Sequence, residues 1–220
     1  MSLIFKRSNS TVISQFRQAM SSIANQVMIL TPTCKVNDIS NFQPEILNLR
    51  GVTLSSVTSL SINPHPLIQF NLMIPSITSE NLHKYDKFAL HILNPNDHNI
   101  ELVKKFSKHR EFNVKTSKFD QISPFKGLAK DIDFKLQNVE QLDSVDVQNN
   151  TNEKNNLYLP ILQSISKVLI CEKHQNLLVQ DHEIWIGKVL EIKTLNDNYN
   201  SKNGGLLNFN RSFHKVGNVI

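Results

Sequence analysis

The sequence is short of the residues that staple a small fold or ligate metal through sulfur. Only two cysteines occur in 220 residues, Cys34 and Cys171, and they form no CxxC pair. Neither a disulfide framework nor a cysteine zinc site is expected, and a reducing, intracellular compartment is the default. Glycine (6) and proline (8) are too scarce for a collagen-like chain, and 40% hydrophobic with 20% charged residues excludes wholesale disorder. No apolar run approaches the roughly 18 to 20 residues needed to cross a bilayer, and the N-terminus has no secretory h-region, so the chain reads as soluble. The sequence holds no GxGxxG, GxxxxGK[ST], GxSxG or HExxH pattern. Dinucleotide-fold dehydrogenases, P-loop nucleotidases, α/β-hydrolases and zincins are thereby set aside.

Acidic residues are missing from one end. Residues 1–37 carry Lys6, Arg7, Arg17 and Lys35 and no Asp or Glu, which leaves 20 basic and 19 acidic residues for the rest of a chain of net charge +5. The body is nearly neutral, and nucleic acid is not an expected partner. The cluster Lys104, Lys105, Lys108, His109 and Arg110 is threaded by Ile100, Val103 and Phe106 at helical spacing, so it reads as the solvated side of an amphipathic helix. Residues 1–13 read as a tail whose basic, hydroxyl-rich, acid-free composition suits a mitochondrial presequence and a frayed end equally. The compartment is then mitochondrial or, failing that, cytoplasmic.

What is present is mostly a period of two, with short apolar runs closed by Pro, Asn and Ser, the pattern of a mainly β barrel or sandwich with a few helices. Strands are expected at 26–32, 52–62, 67–74, 87–93, 165–172, 176–179, 183–193 and 206–213, and helices at 12–24, 79–85 and 99–109. A single domain spans 14–220. Gln137 to Asn156 is rich in Asn, Gln, Asp and Glu, so an inserted loop is expected at about 138–156.

Two segments carry candidate chemistry. Along the expected strand 52–62 one face presents Thr53, Ser55, Val57, Ser59 and Ser61. Such a small hydroxyl-bearing face can hold a flat polar ligand against the backbone, or it can simply be solvated. Downstream, Pro75-Ser-Ile-Thr-Ser79 enters a short helix; Ser76 and Thr78 there serve as caps or, with the free amides and positive dipole end, as a grip for phosphate. The group Asp181-His182-Glu183 lies at a strand start, where His182 faces away from both carboxylates, so the three cannot close on one metal and none is expected.

Several segments in order resemble the flavin reductase-like proteins with an FMN-binding split-barrel fold. Phe16-Arg-Gln-Ala-Met20 with Val27-Met-Ile-Leu-Thr31 is similar to that family's opening helix and first strand. Gly51-Val-Thr-Leu-Ser-Ser56 with Ser59-Leu-Ser-Ile-Asn-Pro64 resembles its flavin-binding strand and the turn after it. Phe88-Ala-Leu-His-Ile-Leu93 resembles its next strand, with His91 where the family commonly has Asn. Leu157-Tyr-Leu-Pro-Ile-Leu162, Cys171-Glu172 and Asp181-His-Glu-Ile-Trp-Ile-Gly-Lys-Val189 are similar to its late strands and its Asp-His and Ile-Gly-x-Val signature. Leu206-Leu-Asn-Phe-Asn-Arg-Ser-Phe213 resembles the closing strand.

The resemblance implies a mainly β, Greek-key split barrel, homodimeric, holding FMN or sometimes FAD at the subunit interface and reducing it with NADH or NADPH. Carried over by position, Thr53, Leu54, Ser55 and Ser56 would line the isoalloxazine and ribityl, with Ser59 and Ser61 nearby. Ser76 and Thr78 would reach the phosphate, and His182 would sit beside flavin and nicotinamide as the catalytic group. Two other classes stay open: a split barrel that holds flavin or haem without turnover, and a non-catalytic interaction module with a solvated hydroxyl strand.

Overall fold

Fifteen strands, three α-helices and a 3-10 turn at Ile46–Asn48 make up the regular structure of the described residues, 2–37, 46–108, 110–113, 118–140, 156–195 and 204–217 of a computed structural model. The first strands are β1 (Asn25–Gln26), β2 (Met28–Pro32), β3 (Cys34–Lys35), β4 (Val52–Leu54), β5 (Thr58–Ser61), β6 (Leu67–Met73) and β7 (Lys87–Ile92). They continue as β8 (Arg110–Asn113), β9 (Lys118–Gln121), β10 (Phe134–Asn138), β11 (Leu157–Leu162), β12 (Lys167–Val179), β13 (His182–Thr194), β14 (Leu207–Phe209) and β15 (Ser212–His214). The helices are α1 (Ser2–Ser21), α2 (Ile77–Tyr85) and α3 (Asp97–Phe106).

Seven strands in the order β4-β2-β7-β12-β13-β6-β5 form the main sheet, with β4 and β5 at opposite edges. Laid flat, six gaps of about 4.8 Å would hold those edges ~29 Å apart. The link from Leu54 to Thr58 has four Cα steps of about 3.8 Å and spans at most ~15 Å, so the sheet must curl until its edges approach. This is the open, curled architecture that the resemblance implies.

The curl makes two cores from one alternation. Met28 and Leu30, Phe88 and Leu90, and Cys171 point inward and meet Leu54, Phe70, Leu82 and Trp185. Their neighbours Val27 and Ile29, Ala89 and Leu93, Val168 and Ile170 point outward. There they are covered by α3, Phe125 and a second sheet of order β10-β11-β3. Because both faces are buried, β2 and β7 show almost no exposed position despite their period of two. Cys34 and Cys171 are buried thiols outside any disulfide, one in each core.

Helix α3 is built as its sequence prescribes. Asn96 accepts the Asn99 amide at 2.8 Å, Asp97 lies in the first turn, and Lys104 and Lys105 close the last. Each charge complements the helix dipole, and Leu102, Val103 and Phe106 are buried beneath them.

Several expectations change. The continuous strand 52–62 is two strands on opposite edges of the sheet, because the chain crosses the gap at residues 55–57. The runs 165–172 and 176–179 are one long strand, β12, which bulges at Ile170/Cys171 and Lys173/Gln175. The expected tail 1–13 belongs largely to α1, which begins at Ser2. The polar loop loses its first residues to the second sheet: Asn138 pairs with Tyr158, and Val139 is buried in the outer core. At its other end the Asn156 carbonyl accepts the Val36 amide at 2.8 Å; residues 141–155 lie outside the described residues. Among the described residues no helix is long and apolar enough to cross a membrane.

Candidate active site at the junction of β6, β13 and α2

Pro75 ends β6 by removing a ladder donor, and the chain turns into α2. Ser76 stands at the N-cap in extended backbone and accepts the Ser79 amide at 3.4 Å. That bond is long, and the Ser76 hydroxyl keeps its own proton to donate. The amides of Ile77 and Thr78 have no acceptor inside the helix, as the first turn of any helix requires. Thr78 is buried.

The sheet brings His182 to this turn. His182 pairs with Met73, three residues before Ser76, and the Ile74 amide donates to the Asp181 carbonyl at 2.9 Å. His182 and Asp181 form an exposed pair, Nδ1 to Oδ1 at 2.9 Å, against the expectation that the histidine faces away from both carboxylates, because Asp181 lies in the turn before β13 begins and strand alternation does not reach it. The bond from His182 holds the Asp181 carboxyl below its ordinary range, an effect that solvent screens here. With Nδ1 directed at the carboxylate, Nε2 is the nitrogen left to face a ligand.

Glu183, next in the chain, points the other way and is buried. Ser79 Oγ donates to its Oε2, Trp185 Nε1 donates to Oε2 at 3.2 Å, and His83 Nε2 bonds Oε1 at 2.8 Å. Burial pushes this carboxyl up, but the donors from Ser79, His83 and Trp185 outweigh it and hold the group below its usual range. Sequence reasoning assigned Glu183 no role. The available signal was a carboxylate sharing the inward strand face with Trp185, which demands buried partners.

The hydroxyl strand is divided. The Thr53 hydroxyl donates to the Val103 carbonyl of α3 at 2.9 Å, and Leu54 lies in the inner core. Ser55 is exposed, and Ser56 Oγ accepts the Asn71 amide at 3.0 Å. Asn71 is two residues before Met73, about 7 Å along β6, so Ser56, Ser76 and His182 gather around one end of that strand. Ser59 pairs with Ile68, five residues or about 17 Å from Met73, and the Ser61 hydroxyl donates to the Asn63 carbonyl. Ser59 and Ser61 are therefore at the far end of β6, and Thr53 turns its hydroxyl to α3.

His91 is a core residue. Its Nδ1 bonds the Ile29 carbonyl at 3.0 Å and its Nε2 accepts the Leu162 amide at 3.2 Å. Complete burial lowers its pKa to about 4. Among the described residues no group of three His, Cys, Asp or Glu side chains is placed to hold a metal ion.

Three features here offer contacts to a phosphate-bearing ligand: the donors at the start of α2, the accessible Nε2 of His182, and the outer edge of β4, which has no strand partner among the described residues. Similar solved structures share the fold. The flavin reductase of styrene monooxygenase from Pseudomonas putida S12 is 20% identical, with 93% of this chain and 99% of that one covered and a TM-score of 0.59. The NADH:FAD oxidoreductase of Streptomyces globisporus is 16% identical over 93% of each chain, TM-score 0.60. The flavin reductase HpaC, complexed with NADP+, is 20% identical over 93% of this chain and 97% of that one, TM-score 0.60. The flavin reductase like domain family matches residues 20–217, nearly the whole chain, and the protein therefore belongs to the flavin reductase-like family.

Proposed function

We propose that the protein is an NAD(P)H-dependent reductase that binds FMN at the junction of β6, β13 and α2 and works as a homodimer. The observation that carries this reading is the pairing of His182 with Met73, which sets an accessible histidine beside a helix start bearing Ser76 and Thr78. Bound flavin supplies the hydride-accepting ring, and the protein supplies position and hydrogen bonds. The Ser76 hydroxyl and the amides of Ile77 and Thr78 donate to the phosphate, with the helix dipole adding to their attraction. Ser55, Ser56 and the open edge of β4 offer polar groups to the ribityl and ring. Nε2 of His182 orients the nicotinamide or holds a proton, with Asp181 fixing the ring through Nδ1.

A second copy is supported by apolar surface on the far half of β12, which pairs with β13 on one side and has no strand on the other among the described residues. β12 pairs with β7 only as far as Glu172. Beyond it Leu177, Leu178 and Val179 are 58%, 62% and 42% exposed. Exposed apolar residues on a free edge mark an association surface.

The test is a titration of the purified protein with FMN followed by flavin fluorescence, then NADH or NADPH oxidation at saturating FMN. Saturable micromolar binding, turnover with one nicotinamide and a mass near twice 25.2 kDa are expected. The absence of a saturable change would overturn the reading, and binding without turnover would reduce it to a passive flavin protein.

A further inference from the structure

Glu183 plays no part in the mechanism above, yet both its oxygens are committed. Ser79 and His83 stand four residues apart, on one face of successive turns of α2, and both bond this carboxylate. Trp185 completes the set from the same strand face, with the His83 ring edge-on to the indole at 4.7 Å. The other end of α2 is fastened to the same hairpin. The Lys173 amide donates to the Asp86 carbonyl at 2.7 Å, and its ammonium lies 3.5 Å from the Asp86 carboxylate. Of the two fastenings, only the one through Glu183 lies at the ligand end.

The chain geometry makes that fastening consequential. Glu183 follows His182 directly, while Ser79 is three residues beyond Ser76, within the same helical turn. Beside the backbone bond from the Ile74 amide to the Asp181 carbonyl, which holds the chain entering the turn, the charge-assisted bond between Glu183 and Ser79, shielded from water, ties the first turn of the helix itself to the histidine's strand.

We propose that Glu183 is a positioning residue of the flavin site, holding the first turn of α2, with the hydroxyls of Ser76 and Thr78, in register with His182. The proposal rests on reading that turn as the phosphate subsite. Glu183 does not touch the ligand; its charge would repel a phosphate, so the benefit must come from placement. Glutamine keeps an oxygen for Ser79 and Trp185 and can offer its amide to His83 in the other tautomer, which separates placement from charge.

The experiment titrates the wild type, Glu183→Ala, Glu183→Gln and Ser79→Ala with FMN and with riboflavin, and records the melting temperature of each. Glu183→Ala should weaken FMN about tenfold or more while riboflavin changes by about twofold or less. Ser79→Ala should shift the same ratio in the same direction, and Glu183→Gln should restore it. A generally loosened fold would weaken both ligands together. A wild type that binds FMN and riboflavin alike overturns the phosphate reading itself. A wild type that prefers FMN, with the preference intact in Glu183→Ala, overturns the positioning role alone. Should Glu183→Ala not fold, Ser79→Ala, which removes one hydroxyl, decides the matter by the same ratio.

Discussion

The imidazole of His91 joins the two sheets by accepting the Leu162 amide of β11 at Nε2, 3.2 Å away, while Nδ1 holds the Ile29 carbonyl of β2. The ring must be neutral to accept at Nε2, and burial keeps it so, with a pKa of about 4. A depressed folded-state pKa gives stability that is complete above the unfolded value, about 6.5, and is lost as pH falls towards 4. The loss over that window is about 3 kcal/mol. His91→Asn keeps a group near Nδ1 but abandons the Leu162 amide, at a cost of about 1 to 3 kcal/mol at neutral pH. Urea unfolding at pH 7 and 4.5 should show the gap between variant and wild type closing at the lower pH. Parallel profiles would remove His91 from the account of acid stability.

Gly187, the glycine of the Ile-Gly-x-Val signature, has a packing reason. A β-carbon there would stand 2.5 Å from Cζ of Phe88, which is fully buried and edge-on to Phe70 at 5.4 Å. Gly187→Ala should cost about 1 to 3 kcal/mol by overpacking, read as a lowered denaturation midpoint with an unchanged slope. Phe88→Leu added to it should recover part of the loss. An alanine variant as stable as the wild type would show that the ring moves aside freely.

The central strands were legible in two ways: β6 and β13 keep a period of two, while β2 and β7, buried on both faces, read as short apolar runs closed by turn residues, and all four begin and end within a few residues of expectation. The start of α2 was legible from Pro75 and the hydroxyls after it, since a strand stop followed by a cap is local chemistry. The hydroxyl strand was misread because a local period cannot report that a chain leaves one edge of a curled sheet and joins the other. β10 was missed because the polar run beginning at Gln137 masks the apolar anchors Phe134 and Leu136. Glu183 was legible as a residue on the opposite strand face from His182. Its partners Ser79 and His83 are about a hundred residues distant in sequence, beyond the reach of any local pattern.

Division of the hydroxyl strand leads to a paired prediction. The Val103 carbonyl that receives the Thr53 hydroxyl also receives the Ser107 amide and hydroxyl, at 2.9 and 2.7 Å. Thr53→Val should therefore cost under about 1 kcal/mol and leave FMN affinity within about twofold. Ser76→Ala with Thr78→Ala should weaken FMN far more than riboflavin, since only FMN has a phosphate to lose. A tenfold loss of FMN affinity in Thr53→Val would restore Thr53 to the site.

His182 decides between a reductase and a passive binder. Its Nδ1 is taken by Asp181, its side chain is 45% exposed, and its strand partner is the residue that leads into α2. Removing the ring breaks no buried bond, so His182→Ala should fold normally and bind FMN within a few fold of the wild type. NAD(P)H oxidation should fall by about 10- to 100-fold, equivalent to roughly 1.4 to 2.7 kcal/mol in the transition state, a share that one orienting or proton-holding group can supply. Asp181→Asn leaves the imidazole but exchanges the charged acceptor at Nδ1 for a neutral one, and should give a smaller loss with an altered pH profile. An unchanged rate in His182→Ala at saturating flavin and nicotinamide would return the residue to an ordinary place at the strand entry, and the catalytic proton would then have to come from solvent.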